Sequence, residues 1–238
     1  VEMEDEPIVQ LARERGEALR SAAAYGSIEV VHEMCQSPRV MMYIDDCGSE
    51  QGTTALMSAV VAGREDSAKV LLESGADINF CDSMGRSALM FAAANGEDSL
   101  VALMLERGAN VSLRASNGWT SLMFASAMGH SGAAAVLLEL VSSTHRQRLL
   151  TEKDVRGRTA LRLAQSGDCR ELIDLLREAS KQQAIEVAQL GYGPSDADDA
   201  GTPAAAAIGS SERREDTRGR SGRVRRTVML TEDPLPEV

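Results

Sequence analysis

A motif that returns every 33 residues constrains this chain more than anything else in it. Gly52-Thr53-Thr54-Ala55-Leu56-Met57 recurs as Gly85-Arg86-Ser87-Ala88-Leu89-Met90 and as Gly118-Trp119-Thr120-Ser121-Leu122-Met123, and a fourth copy, Gly157-Arg158-Thr159-Ala160-Leu161-Arg162, follows after 39. The register holds beyond the motif, through Ala59, Ala92, Ala125 and Ala164, then Gly63, Gly96 and Gly129, then the triplets Val70-Leu71-Leu72, Leu103-Met104-Leu105 and Val136-Leu137-Leu138. A period of this length marks a tandem array whose units bury their apolar faces only against one another.

Within each unit the residues dictate two helices. Thr54, Ser87, Thr120 and Thr159 stand where a hydroxyl can accept from an N–H two or three residues on, so they mark helix starts. Small residues such as Ala59, Ala92, Ala93 and Ala125 allow close approach between first helices. The glycines at 63, 96 and 129 end those helices in a left-handed turn. A second helix carries Ala68, Leu71 and Leu72, and again Val101, Met104 and Leu105, as one apolar stripe. Gly75 and Gly108 stop it, and the turn-forming stretches after them connect to the next unit. The hydrophobic content of 43% with only 3% aromatics suits such helix packing better than a β-sandwich.

Two units close with Gly75-Ala76-Asp77-Ile78-Asn79 and Gly108-Ala109-Asn110-Val111-Ser112. With the period and the glycines, these endings make the chain resemble the ankyrin-repeat family. The resemblance implies an all-α fold, an ankyrin-repeat solenoid of stacked helix-turn-helix units with β-turn fingers between them. It also implies a partner protein held across the finger tips and the concave face of the first helices. The family's frequent Thr-Pro-Leu-His is replaced here by Ala or Ser and then Met or Arg, which exchanges polar contacts between units for packing. His130 follows Gly129 where the family commonly has Gly-His, so a turn and helix-entry role is expected for it.

Five units are expected in a repeat domain over 15–190, at about 15–51, 52–84, 85–117, 118–156 and 157–190. The first is the weak copy Glu17-Ala18-Leu19-Arg20-Ser21-Ala22 with Gly26, and the last is a capping unit. The cap runs through Leu172, Ile173, Leu175 and Leu176 and ends on Arg177, Glu178, Lys181, Gln182 and Gln183, a sequence that suits a wet outer face. Residues 140–150 replace the Gly-Ala-Asp ending of the fourth unit, with the inserted stretch at 141–150, and predict a lengthened helix or a protruding loop. Residues 1–14 read as an acidic, solvated N-terminal segment. Residues 191–238 read as a disordered tail with an arginine cluster from Arg213 to Arg226, beside which Thr227 is a candidate phosphorylation site. The chain begins with Val1, so a fragment of a larger protein is one expectation.

The charges and motifs exclude several classes of function. A net charge of −11 disfavours nucleic acid along the repeat body. The longest apolar runs, such as Ala133 to Leu138, fall far short of the roughly 20 residues that cross a bilayer. Cys35, Cys47, Cys81 and Cys169 lack metal-ligand spacing and read as reduced thiols, so no metal and no cofactor is expected. No phosphate-binding loop, nucleophile elbow or zinc-helix motif is present, and the three histidines are scattered. The reading is a non-enzymatic interaction scaffold or adaptor, monomeric alone, in the cytoplasm with the nucleus left open. The alternatives are the regulatory segment of a larger kinase, ubiquitin ligase or acyltransferase, and a structural component of a stable complex.

Alignment of the units gives the candidate partner-binding positions. They are Glu50, Gln51 and Thr53 in the second unit, Ser83, Met84, Arg86 and Asn95 at the third, Ser116, Asn117, Trp119 and Met128 at the fourth, and Arg156 and Arg158 at the fifth. Trp119, the only tryptophan, stands in a slot that normally faces out and is the expected anchor; the competing reading has it cover a gap beside the insertion. Met123 repeats Met57 and Met90 and is expected in the core.

Overall fold

The structure, a computed structural model, describes residues 6–47 and 51–189. In chain order its helices are α1 (Glu6–Tyr25), α2 (Ile28–Gln36), the single turn α3 (Pro38–Met41), α4 (Ala55–Val61), α5 (Glu65–Glu73), α6 (Ala88–Asn95), α7 (Asp98–Glu106), α8 (Ser121–Met128), α9 (Ser131–Leu140), α10 (Ser143–Thr151), α11 (Ala160–Ser166) and α12 (Arg170–Gln189). Helices α1, α4, α6, α8 and α11 pack successively as an inner layer, while α2 on α5, α7 on α9 and α9 on α12 form an outer one. Among the described residues there is no strand, only the isolated antiparallel bridge of Cys81 with Ser87.

Helices α4, α6, α8 and α11 each begin one residue after the expected cap. Thr54, Thr120 and Thr159 accept from the amides of Met57, Met123 and Arg162 at 3.3, 3.4 and 3.4 Å. Ser87 makes no such bond. Gly63, Gly96 and Gly129 turn the chain at φ of +65°, +71° and +82°. In the fifth unit that left-handed slot falls to Asp168, with φ of +53°. A Cβ on Gly96 would lie 2.5 Å from Nδ1 of His130, the residue that caps the start of α9.

The core runs along the seam between the layers. Leu56, Leu89 and Leu122 are fully buried from the inner helices, and Leu71, Met104 and Leu137 from the outer ones. Each such side chain contributes about 1.5–3 kcal/mol on burial. Met57, Met90 and Met123 are buried as well, so thioethers fill the space where the family's histidine would stand.

Three regions differ from the sequence reading. Helix α1 starts at Glu6, so residues 6–14 continue the first unit's helix and are not a separate segment. The insertion at 141–150 forms the separate helix α10, which packs on α11 and α12 with Leu149 buried. Arg146 fastens it, donating through Nε to the Leu138 carbonyl at 2.7 Å and meeting Glu186 at 3.8 Å. Gln183, one turn before Glu186, is consequently buried and does not belong to a wet face. The reading of residues 191–238, with Thr227, lies outside the described residues.

A ladder of finger tips as the candidate functional site

A buried aspartate closes the finger entering the third unit. Asp82 Oδ1 accepts from the amides of Met84 and Arg86 at 2.9 and 2.7 Å, and Oδ2 accepts from Arg86 Nε at 2.7 Å. Gly85, at φ +72°, completes the turn by donating to the Asp82 carbonyl at 2.9 Å. The same device recurs at the fifth unit. Asp154 Oδ1 accepts from the amides of Arg156 and Arg158 at 2.9 and 2.8 Å, and Oδ2 from Arg158 Nε at 2.8 Å. This Asp-x-x-Gly-Arg turn is written in the sequence at 82–86 and 154–158, a signal that reading Arg86 and Arg158 as recognition residues alone passed over.

The fourth unit builds its finger without a carboxylate. Ala115 replaces the aspartate, Asn117 Oδ1 accepts from the Trp119 amide at 3.0 Å, and Arg114 donates to the Gly118 carbonyl at 3.1 Å and the Lys153 carbonyl at 2.5 Å. Trp119 takes the slot that arginine holds in the neighbouring fingers. Its indole N–H donates to Asp154 Oδ2 at 3.2 Å, across 35 residues of chain. The ring meets Phe124 edge-on, centroids 5.1 Å apart at 70°, and lies under the Arg158 guanidinium at 5.7 Å. Arg86 covers Phe91 in the same manner at 4.7 Å.

Consecutive fingers are joined tip to tip. The amide and hydroxyl of Ser83 both donate to the Gln51 carbonyl, at 3.0 and 2.9 Å. Ser116 does the same to Met84, at 2.8 and 2.9 Å, and the Val155 amide reaches the Asn117 carbonyl at 3.2 Å. Asn95 ties the inner helices, donating to the Val61 carbonyl at 3.2 Å. Two independent finger shapes are thereby held in one rigid register.

Against this geometry the candidate residues sort by exposure. Gln51, Ser83, Met84, Ser116, Asn117 and Arg156 are exposed, while Thr53, Arg86, Asn95, Met128 and Arg158 are half-buried. Glu50 lies outside the described residues. Trp119 is 7% exposed, so its slot does not face out and its indole serves the junction of the fourth and fifth units. The gap-covering role fits its contacts, with the correction that the groups it meets are Asp154 and Arg158 rather than the insertion.

Burial pushes the Asp154 carboxyl up, but hydrogen bonds from the Arg158 amide and guanidinium, the Arg156 amide and the Trp119 indole outweigh it and hold the group below the ordinary aspartate range. Burial raises the Cys35 thiol against a hydrogen bond from Ser74, and raises Cys81 with help from the charges of Asp82 and Asp77. Neither thiol is activated as a nucleophile. Among the described residues no group of histidine, cysteine and carboxylate side chains is arranged to hold a metal ion. Among them, too, no helix is long and apolar enough to cross a membrane.

A two-layered helical solenoid with interlocked fingers defines a repeat protein of the class that works as a protein-interaction module. The family of ankyrin repeats, in three copies, matches residues 5–82 and 74–148, more than half of the 238-residue sequence. The chain belongs to the ankyrin-repeat family. A comparison with curated proteins returns no match.

Proposed function

We propose that the chain is a non-catalytic scaffold or adaptor whose partner protein lies across the finger tips and the concave side of the inner helices, within a repeat domain reaching to about residue 190. The observation that carries this reading is the tip-to-tip ladder, in which the exposed Gln51, Met84 and Asn117 each accept through the backbone carbonyl from the next finger, the last from Val155 beside the exposed Arg156. A preformed surface of this kind binds with little ordering cost. The contacts of Trp119 make it a positioning residue for that ladder. The reading places the chain in the cytoplasm or nucleus, a placement that its cysteine spacing favours.

The test is affinity purification of the full chain beside two altered forms, with mass spectrometry of what co-purifies. Met84→Ser with Asn117→Ala and Arg156→Glu alters the tips, while Glu73→Gln with Glu106→Gln alters the outer helices. A partner lost from the first form and kept by the second supports the proposal. A partner kept by the tip variant, and lost when the chain ends at residue 190, would show that the tail is the recognition element.

A further inference from the structure

The inner helices leave one face to solvent. On α4 and its cap the open positions are Ser58, Val61 and Ala62, and on α6 they are Phe91, Ala94 and Asn95, a spacing of i, i+3 and i+4 that puts them on one side. The matching positions of the first, fourth and fifth units are 21, 24 and 25, then 124, 127 and 128, then 163, 166 and 167, of which 124 and 163 are buried. None of these residues in any of the five units is charged, although 26% of the chain is. Tyr25 at 84% exposed and Val61 at 45% are the large apolar groups on this strip, with Phe91 and Met128 half-buried on it.

The strip offers few hydrogen-bonding groups, and most turn back on their own chain. The Ser58 hydroxyl donates to the Thr54 carbonyl at 3.0 Å, Asn95 to the Val61 carbonyl at 3.2 Å and the Ser166 hydroxyl to the Leu163 carbonyl at 2.6 Å. Charge gathers at its two edges. The turns past the ends of the inner helices carry Asp66, Glu97, Asp98, Asp168 and Glu171 against Arg64 and Arg170, while Glu65 is spent on Lys69 at 2.6 Å. At the opposite edge the third to fifth fingers expose Arg114 and Lys153 and bury their carboxylates, Asp82 and Asp154. The first finger differs, with Asp45 accepting from the Asp77 amide at 2.9 Å and Asp46 facing Arg20 at 3.7 Å.

We infer that this strip takes an amphipathic helix of the partner protein, its apolar stripe on Val61, Phe91 and Met128 and its Lys and Arg residues along the flank that faces the acidic turns. The inference rests on the proposal that the partner lies across the concave side of the inner helices. A helix pairs its own backbone N–H and C=O groups, whereas an extended peptide would cover the strip with its backbone groups unpaired. Packed helices stand about 8–10 Å apart, so a helix rising 1.5 Å per residue passes one unit roughly every 5–7 residues, close to the i, i+4, i+7 spacing of a single helical face. Covering an uncharged strip strips no ion of its water. The net charge of −11 favours a basic occupant and disfavours a second copy of this chain.

Selection of displayed random peptides about 24 residues long on the full chain, followed by difference circular dichroism and fluorescence anisotropy on the recovered sequences, tests this. The expected peptides carry apolar residues at helical spacing, with Lys and Arg on one side of that stripe, and become helical on binding. Their affinity should fall roughly tenfold or more in Val61→Lys with Ala62→Lys. It should fall about threefold or more in Asp66→Asn with Asp168→Asn, and both variants, altered only at exposed residues, should keep the wild-type circular dichroism. Peptides that stay extended when bound, helices without the basic flank, helices indifferent to Val61→Lys with Ala62→Lys, or no enrichment at all would each overturn the inference. If extended peptides are recovered yet lost in that variant, the concave docking face stands and only the helix falls. Peptides lost solely in Met84→Ser with Val155→Ser move docking to the tips, and peptides indifferent to both variants remove the docking face as well. A full chain that dimerises, and is monomeric in Val61→Lys with Ala62→Lys, would make a second copy the occupant and overturn the inference too.

Discussion

Replacing Trp119 by phenylalanine keeps an aromatic ring against Phe124 and Arg158 but deletes the N–H that meets Asp154 at 3.2 Å. The acceptor is a carboxylate with no solvent access, so the missing bond is not replaced by water. A hydrogen bond to a buried charged group is worth about 1.5–3 kcal/mol, and the smaller ring adds a modest cavity term, so a loss of about 2–4 kcal/mol is expected. Trp119→Ala should cost about 3–5 kcal/mol, because the cavity term then dominates. Urea unfolding followed by far-ultraviolet circular dichroism gives the magnitude, and native-state hydrogen exchange gives the location. In a solenoid, where each unit contacts only its neighbours, the loss falls on the junction of the fourth and fifth units, so amides in α11 and α12 should exchange faster before those in α4 and α6. A Trp119→Phe chain within about 0.5 kcal/mol of the wild type would refute the reasoning, since changes that small are typical of surface positions without a structural role. Equal acceleration in every unit would refute its placement.

Three further outcomes follow from single residues. Asp168 holds the left-handed slot that glycine fills in the three preceding units; Asp168→Gly should raise stability by up to about 1 kcal/mol, seen as a higher thermal midpoint, and a lower midpoint would contradict the strain argument. Thr120→Ala removes a buried cap and should cost about 1 kcal/mol by urea unfolding, whereas Ser87→Ala, where no cap bond exists, should not lose that cap contribution. Asp154 is held below the ordinary aspartate value, so its stabilisation is complete above that value and is lost as pH falls through the folded one. Asp45 has the opposite sign, because burial, offset in part by the Asp77 amide, raises it. The check is therefore the difference between wild type and Asp154→Asn, whose gap in urea midpoint should narrow on acidification; a constant gap would contradict the assignment.

The repeat made the helices legible because each rests on local chemistry: a threonine two or three residues ahead of an orphan amide, an alanine where helices touch, a glycine where φ is positive. Positions that depend on another unit were less legible. The surroundings of Trp119 include Asp154, 35 residues away, and no pattern within its own unit announces that partner. Arg86 and Arg158 looked variable because the fourth unit breaks their series with tryptophan, which hid the Asp-x-x-Gly-Arg turn. The insertion lacked a matching unit to read it against, so its burial through Leu149 and Arg146 appears only where α10 meets α12. Gln183 followed from that miss.

The central claim is that a partner protein covers the finger tips. Hydrogen–deuterium exchange of the purified complex against the free chain tests it most directly, read at the finger-tip amides of 83–84, 116–117 and 155–156, most of them donors in the tip turns and ladder. The account predicts that these amides gain protection together while α5, α7 and α9 are unchanged. Protection confined to those outer helices, with the tips unaltered, would contradict it.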